Sequence, residues 1–358
     1  MVAGIDCHKN SHVICLLGDN GECIARTQVK NNQGGFDRLV GWLEDHGALD
    51  AVIGVENANG YGQSLAKALD DAGFVVLNVP GFMTARERLC QGPGKSDERD
   101  ALAIAEVTLR RQGKLGPGVR PEPIKAIAFL ETARRGYVKE RVQQILRLRA
   151  ILSDIDPAFE SSLGDLSHPN TLQRIRRKKF GDAPSNQTAK LCIQQLVRSI
   201  VENNRCIKQI ERELERLLDQ YGDPLAELPG AGRLTTATLI AHAGDIRRFK
   251  TPAAFASFCG VAPIPCGSGK TNKRHRLNPH GNRQLNAALH RIALTQLRCH
   301  QPAKTYIQKK QTEGKTKREA IRALKRHLAN TTYKHLKTWA NQTLPQKQKP
   351  AKTKQPTT

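Results

Sequence analysis

The sequence predicts an α/β domain built on a mixed sheet, followed by a chain that is almost entirely helical. Three observations carry this. The first 110 residues alternate strand-like and helical patterns in the order βββαβαβα, two long segments beyond residue 130 keep helical periodicity with few breaks, and charge is divided sharply between the two ends. At 358 residues the chain has room for two or three domains and a full hydrophobic core.

Strand-like runs at residues 2–5, 13–17 and 23–29 precede the first helical pattern, at 36–45. A Gly-Asp-Asn-Gly turn at 18–21 makes the second and third strands a hairpin. A strand at 51–55, a helix at 60–71, a strand at 75–79 and a helix at 98–112 complete the domain. Three strands before the first helix fit a mixed sheet covered by helices. No glycine-rich loop follows the first strand, so a dinucleotide or nucleotide-triphosphate site has little support.

The strand ends carry acids. Asp6 closes the first strand, Glu56 closes the fourth, and Asp97 and Asp100 sit three apart at the head of a helix, on one face. Singly, each suits a turn or a helix cap. If the first and fourth strands are neighbours, the four converge, and clustered carboxylates call for a hard divalent cation, Mg²⁺ or Mn²⁺. Two such ions about 4 Å apart clamp the attacking and leaving oxygens of a phosphodiester. His8 follows in what reads as a solvated loop, and Lys9 and Lys95 are placed to face phosphates.

Composition names the partner class. The chain carries 57 Lys and Arg against 33 Asp and Glu, a net charge of +24 that points to a polyanion. Residues 1–120 hold 13 basic and 15 acidic residues, whereas residues 270–358 hold 22 basic residues and only Glu313 and Glu319. Chemistry and grip are thus expected in different domains. Nine scattered cysteines without CxxC spacing indicate neither a disulfide framework nor a zinc site, and read as reduced thiols in a cytoplasm. The absence of a long apolar run and of a signal core predicts neither membrane insertion nor secretion.

In the middle of the chain, residues 131–152 and 189–217 read as long helices. In the second, Ile193, Leu196, Ile200, Asn203, Ile207, Ile210, Leu214 and Leu217 form a heptad seam, with Val138, Val142, Ile145 and Leu152 compatibly spaced upstream. The seam suits an intramolecular helical hairpin or a dimerising coiled coil with Asn203 fixing register; a dimer is the favoured expectation. The basic run at 174–179 is expected in a loop. A Pro-Gly turn at 229–230 before a helix offers backbone N–H groups to a phosphate, or is simply a tight turn.

Beyond it, Ser268 lies between Gly267 and Gly269, followed by Lys270, Lys273, Arg274 and Arg276. A serine between glycines in a cationic loop can approach a phosphorus atom, and nearby positive charge stabilises an alkoxide and the transition state. Gly281 and Arg283 follow. Residues 341–358, mostly Lys, Gln, Pro and Thr, are expected to be a disordered basic tail.

The GIDCHK, GVEN and GPGKSDERDA segments resemble the DEDD transposases of bacterial insertion sequences, the IS-one-ten family, which includes the Piv-type DNA inversion proteins. The resemblance resumes in the stretch 255–293. It implies an RNase H-like, RuvC-like fold for residues 1–115, with Asp6, Glu56, Asp97 and Asp100 as catalytic metal ligands. The heptad seam makes 116–222 a helical coiled-coil region, and the resemblance further implies a transposase domain at 223–340, in which Ser268 is the nucleophile and Gly281 ends a turn into a helix on which Arg283 could reach DNA. The expected activity is cutting and rejoining double-stranded DNA, directed by an element-encoded bridge RNA, by a nucleoid-associated homo-oligomer in which one chain's serine loop meets another chain's carboxylates. In relatives a second serine often stands where this chain has Gly267. Two rivals are a RuvC-type junction nuclease using water and a non-enzymatic nucleic-acid scaffold.

Overall fold

The computed structural model describes residues 1–58, 60–90, 96–265, 275–276, 278 and 281–344. They fall into two compact units, Met1–Pro121 and Glu122–Leu344.

The first unit holds β1 (Val2–Cys7), β2 (Ser11–Leu17), β3 (Cys23–Lys30), α1 (Gln33–Asp45), β4 (Val52–Glu56), α2 (Gln63–Asp71), β5 (Val75–Val79), α3 (Gly81–Cys90), α4 (Asp97–Arg111) and β6 (Gly116–Pro117). Its sheet runs β3-β2-β1-β4-β5-β6. β1 is antiparallel to β2 and β2 to β3, whereas β4 lies parallel to β1 and β5 parallel to β4. The sheet is mixed, as predicted. The sequence reading missed α3 and the two-residue β6, because neither carries a sustained apolar period.

Strand alternation assigns the two faces. Ala3, Ile5, Ile14, Leu16, Ile53 and Val55 bury against Phe36, Leu39 and Leu43 of α1 and Leu65 and Leu69 of α2. Val2, Val13, Cys15 and Leu17 bury on the other face with Ala101 and Ala105 of α4. Gly4 and Gly54 are paired in the β1–β4 register and stand on that second face. A Cβ on Gly4 would lie 2.2 Å from the Ala105 nitrogen, and one on Gly54 only 1.8 Å from Thr108 Oγ1. Both glycines are therefore needed for the helix to touch the strand backbones.

The second unit holds α5 (Ile124–Ile155), α6 (Pro157–Ser161), α7 (Pro169–Arg177), α8 (Pro184–Tyr221), α9 (Arg233–Ala243), α10 (Pro252–Phe258), β7 (Ile264–Pro265), β8 (His275–Arg276), α11 (Arg283–Cys299), α12 (Gln301–Thr312) and α13 (Lys317–Thr343). One core joins Leu214 and Leu217 of α8 to Leu239 and Ile240 of α9, Phe255 of α10, Leu285 and Ile292 of α11 and Leu328 and Leu336 of α13. Residues 122–222 of the expected helical region and the expected region 223–340 thus share this unit and its core, while 116–121, with β6, belong to the first unit.

The heptad seam is filled from within the chain. Ile193, Ile200, Asn203, Ile207, Leu214 and Leu217 are buried, α8 packs along α5, and Asn203 donates from Nδ2 to Gln144 Oε1 at 2.7 Å. The helical hairpin is the arrangement found, and reading the seam as a dimer contact is corrected: its apolar stripe already has a partner. Arg174–Arg177, expected in a loop, form the last turn of α7, with Ile175 buried beneath them.

Candidate metal centre and its acidic residues

The β1–β4 register brings Asp6 and Glu56 to the same end of two parallel neighbours, and alternation puts both on the face of Gly4 and Gly54. That is the face α4 covers. Seated on the two glycines, α4 presents its first turn, with Asp97 and Asp100, at the strand ends. The cap of α4 is Ser96, whose Oγ accepts from the Arg99 N–H at 3.3 Å, so Asp97 is released from the capping role that the sequence left open.

The carboxylates converge. Ligand atoms of Asp6, His8 and Asp97 lie within 4.8 Å of one another. His8 Nε2 is 3.1 Å from Asp6 Oδ2 and 3.4 Å from Asp97 Oδ2. Asp6 Oδ2 and His8 Nε2 are nevertheless buried atoms without a well-formed hydrogen bond. Burial raises the Asp6 carboxyl above the usual carboxylate range; His8 opposes this, and the charges of Asp100 and Asp97 add to it. Asp100 is itself buried, at 5% exposure. Asp97 is half exposed, which leaves one side of the group open to a ligand.

Glu56 is held by the helix the sequence did not disclose. Thr84 of α3 donates from Oγ1 to Glu56 Oε2 at 3.1 Å, and a Cβ on Gly81 would lie 2.5 Å from Glu56 Oε1. The neighbouring Cys7 thiol is pushed up by burial, with Asp6 and then Glu56 adding to the effect, which places both charges around it. His8, read from the sequence as a solvated loop residue, and Thr84, which the sequence did not single out, are the additional residues here. His8 sits two positions from Asp6, a spacing that could have flagged it, whereas nothing local marks Thr84.

Known proteins resemble the chain along most of its length. A family model described as a transposase, the DEDD type of IS110, matches residues 3–157, and one described as "Transposase IS116/IS110/IS902 family" matches residues 222–308. The chain belongs to the IS110 transposase family. It is 25% identical over 377 residues to the insertion element IS116 uncharacterized 44.8 kDa protein of Streptomyces clavuligerus, covering 93% of this chain and 94% of that one. It is 24% identical to the pilin gene-inverting protein of Moraxella bovis, over 92% and 94% of the two chains. The solved T. thermophilus RuvC in complex with a Holliday junction substrate matches over 32% of this chain and 98% of its own, at 18% identity and a TM-score of 0.26.

As a member of the IS110 family the chain is a DNA transposase or recombinase of the insertion-sequence type. Within it, Lys9 is exposed at the turn after β1, Arg283 is exposed at the start of α11, and the Arg276 backbone lies in β8. Lys95, Ser268, Lys270, Lys273 and Arg274, together with residues 345–358 of the expected tail, lie outside the described residues, whereas residues 341–343, expected in that tail, close α13 and Leu344 after them is buried, which corrects the start of the tail. Among the described residues, no helix is long and apolar enough to cross a membrane.

Proposed function

We propose that this transposase breaks and rejoins DNA by two successive transesterifications, with Asp6, Glu56, Asp97 and Asp100 as the metal-holding set and Ser268 as the nucleophile. The observation that carries the first half is the buried, hydrogen-bond-deficient Asp6 oxygen beside Asp97 and Asp100. A site that raises the Asp6 carboxyl by burial and by like charge suits a divalent cation. Mg²⁺, or Mn²⁺, bound there would polarise the scissile phosphate. In this reading residues 1–115 form an RNase H-like, RuvC-like domain, 116–222 a helical region and 223–340 the transposase domain with the serine loop.

Attack by Ser268 Oγ on phosphorus forms a phosphoserine ester and releases one strand end as a hydroxyl, which takes up the proton that serine gives up. Attack by the hydroxyl of another strand reverses the step, so the bond energy is kept and no ATP is consumed. Lys270, Lys273 and Arg274 offset the charge on the phosphate, and Lys9, Lys95, Arg276 and Arg283 hold the nucleic acid. A bridge RNA selects the DNA partners, and protomers of a homo-oligomer exchange serine loops. Family membership and the +20 C-terminal segment support these parts.

The test uses wild-type protein, Mg²⁺, a plasmid carrying the element with its flanks, and RNA transcribed from those flanks. A covalent DNA adduct is expected on a denaturing gel, mapped by mass spectrometry to the peptide containing residues 267–270. Ser268→Ala should bind DNA, form no adduct and cut nothing. Cleavage by that variant at the wild-type rate would make water the nucleophile and the protein a RuvC-type nuclease.

A further inference from the structure

The serine loop leaves the described chain at β7 and returns at β8, and the two legs are bound together well outside that short ladder. Ile264 pairs with Arg276 and Pro265 with His275. Behind them, the Asn282 N–H donates to Phe258 O at 2.7 Å and Asn278 Nδ2 to Ser257 O at 3.3 Å. Gly260, at φ +69°, touches Gly281 so closely that a Cβ on Gly281 would sit 2.1 Å from the Gly260 Cα. Only glycine permits that approach.

One side chain ties both legs to the helical core. Asn286, in the first turn of α11 on the returning leg, donates from Nδ2 to Cys259 O at 3.2 Å and to Gly260 O at 3.1 Å on the outgoing leg. Its Oδ1 accepts from Lys325 Nζ of α13 at 2.6 Å. An ammonium can only donate, so Lys325 determines which end of the amide faces it, and the NH₂ is thereby aimed at the two carbonyls. Lys325 is only 8% exposed, and among the described residues no carboxylate pairs with it. A buried cation without a carboxylate is costly, and packing alone would be served better by an apolar side chain.

We propose that Lys325 and Asn286 are positioning residues for the serine loop, acting together to set the register of the two legs between which residues 266–274 run. The proposal rests on the serine-loop reading for its catalytic consequence, but the clamp itself is independent of it. A small shift at the base of a loop that carries a reacting atom is enough to remove much of its rate.

The variants are Asn286→Leu, Lys325→Met and the double variant. Asn286→Leu strands a buried ammonium and should lower the melting temperature, and adding Lys325→Met should restore much of it. Plasmid cleavage, measured well below the melting temperatures at saturating protein, should be slower by roughly ten- to a hundredfold in Asn286→Leu. It should stay equally slow in the double variant, while affinity for a plain DNA duplex is unchanged. Recovery of cleavage together with stability would mean that the pair only supports packing and would overturn the proposal. Ser268→Ala is assayed beside them. If it cleaves like wild type, the serine reading fails by itself, and hydrogen exchange then judges the clamp. The Asn282 amide, bonded to Phe258 O, should exchange faster in the double variant than in wild type, and unchanged exchange there would overturn it.

Discussion

A Cβ added to Gly4 of β1 would lie 2.2 Å from the backbone nitrogen of Ala105 and 2.4 Å from the carbonyl oxygen of Ala101, both in α4. The helix bearing Asp97 and Asp100 thus rests on the bare backbone of the strand bearing Asp6. Gly4→Ala meets the α4 backbone at Ala101 and Ala105, so α4 must move. Overpacking of this kind costs about 1–3 kcal/mol. We expect a lower melting temperature and, because α4 carries two of the four acids, strand cleavage lost beyond what the stability change explains. Both are read by thermal denaturation and a plasmid cleavage assay run at a temperature where the variant is folded.

Replacing Asp6 by Asn should stabilise the protein in the absence of divalent metal, because it removes a buried charge held beside Asp97 and Asp100. Mg²⁺ should raise the melting temperature of the wild type, since a ligand bound only by the folded state stabilises it. That gain should vanish in Asp6→Asn and Asp100→Asn, along with strand cleavage, while nucleic-acid affinity persists. An equal Mg²⁺ effect on all three proteins would remove the metal assignment.

In the second unit, Glu131 of α5 is buried against α9, 3.2 Å from His242 Nε2 and 3.4 Å from Thr238 Oγ1. Burial pushes its carboxyl up, but the His242 hydrogen bond and charge, Arg135 and Thr238 outweigh this and hold it below the ordinary 4.5. A depressed carboxyl contributes stability that is fully present above its unfolded value and is lost as pH falls through the folded one. Wild-type melting temperature should therefore fall more steeply than that of Glu131→Gln as pH drops below 4.5. Parallel curves would show that the pair contributes nothing.

Ile200 is completely buried on the α8 seam. Ile200→Ala should cost about 2–5 kcal/mol by leaving a cavity against α5. The loss should be independent of protein concentration, because the contact is within one chain. A melting temperature that rises with concentration in the wild type and not in the variant would restore the seam as an intermolecular contact.

Affinity for duplex DNA should be steeply salt-dependent, given 22 basic residues against two acidic ones over 270–358. With about six phosphates neutralised, roughly a thousandfold is lost between 50 and 200 mM salt. Flat binding in a filter or anisotropy titration would make these residues bystanders.

Much of the first unit was legible in the sequence, because a strand on a two-faced sheet writes its burial into every second residue. The strand ends at Asp6 and Glu56 were enough to put the acids at one edge if β1 and β4 were neighbours, and that they are neighbours came only from the folded sheet. The heptad of α8 was equally legible as a stripe. What covers that stripe depends on the path of α5, some sixty residues away, and period alone is the same for an internal partner as for a second copy. Likewise, Ser96 rather than Asp97 caps α4 because the chain enters extended at Ser96, a backbone angle that residue types do not specify. The contacts of Thr84 with Glu56, of His8 with Asp97 and of Lys325 with Asn286 span 28, 89 and 39 residues. Such contacts arise when separately formed elements pack. Where apolar residues kept a period, local pattern therefore determined which segments become helix or strand and which face they bury, and only packing decided which side chains meet and where unpatterned segments such as α3 and β6 lie.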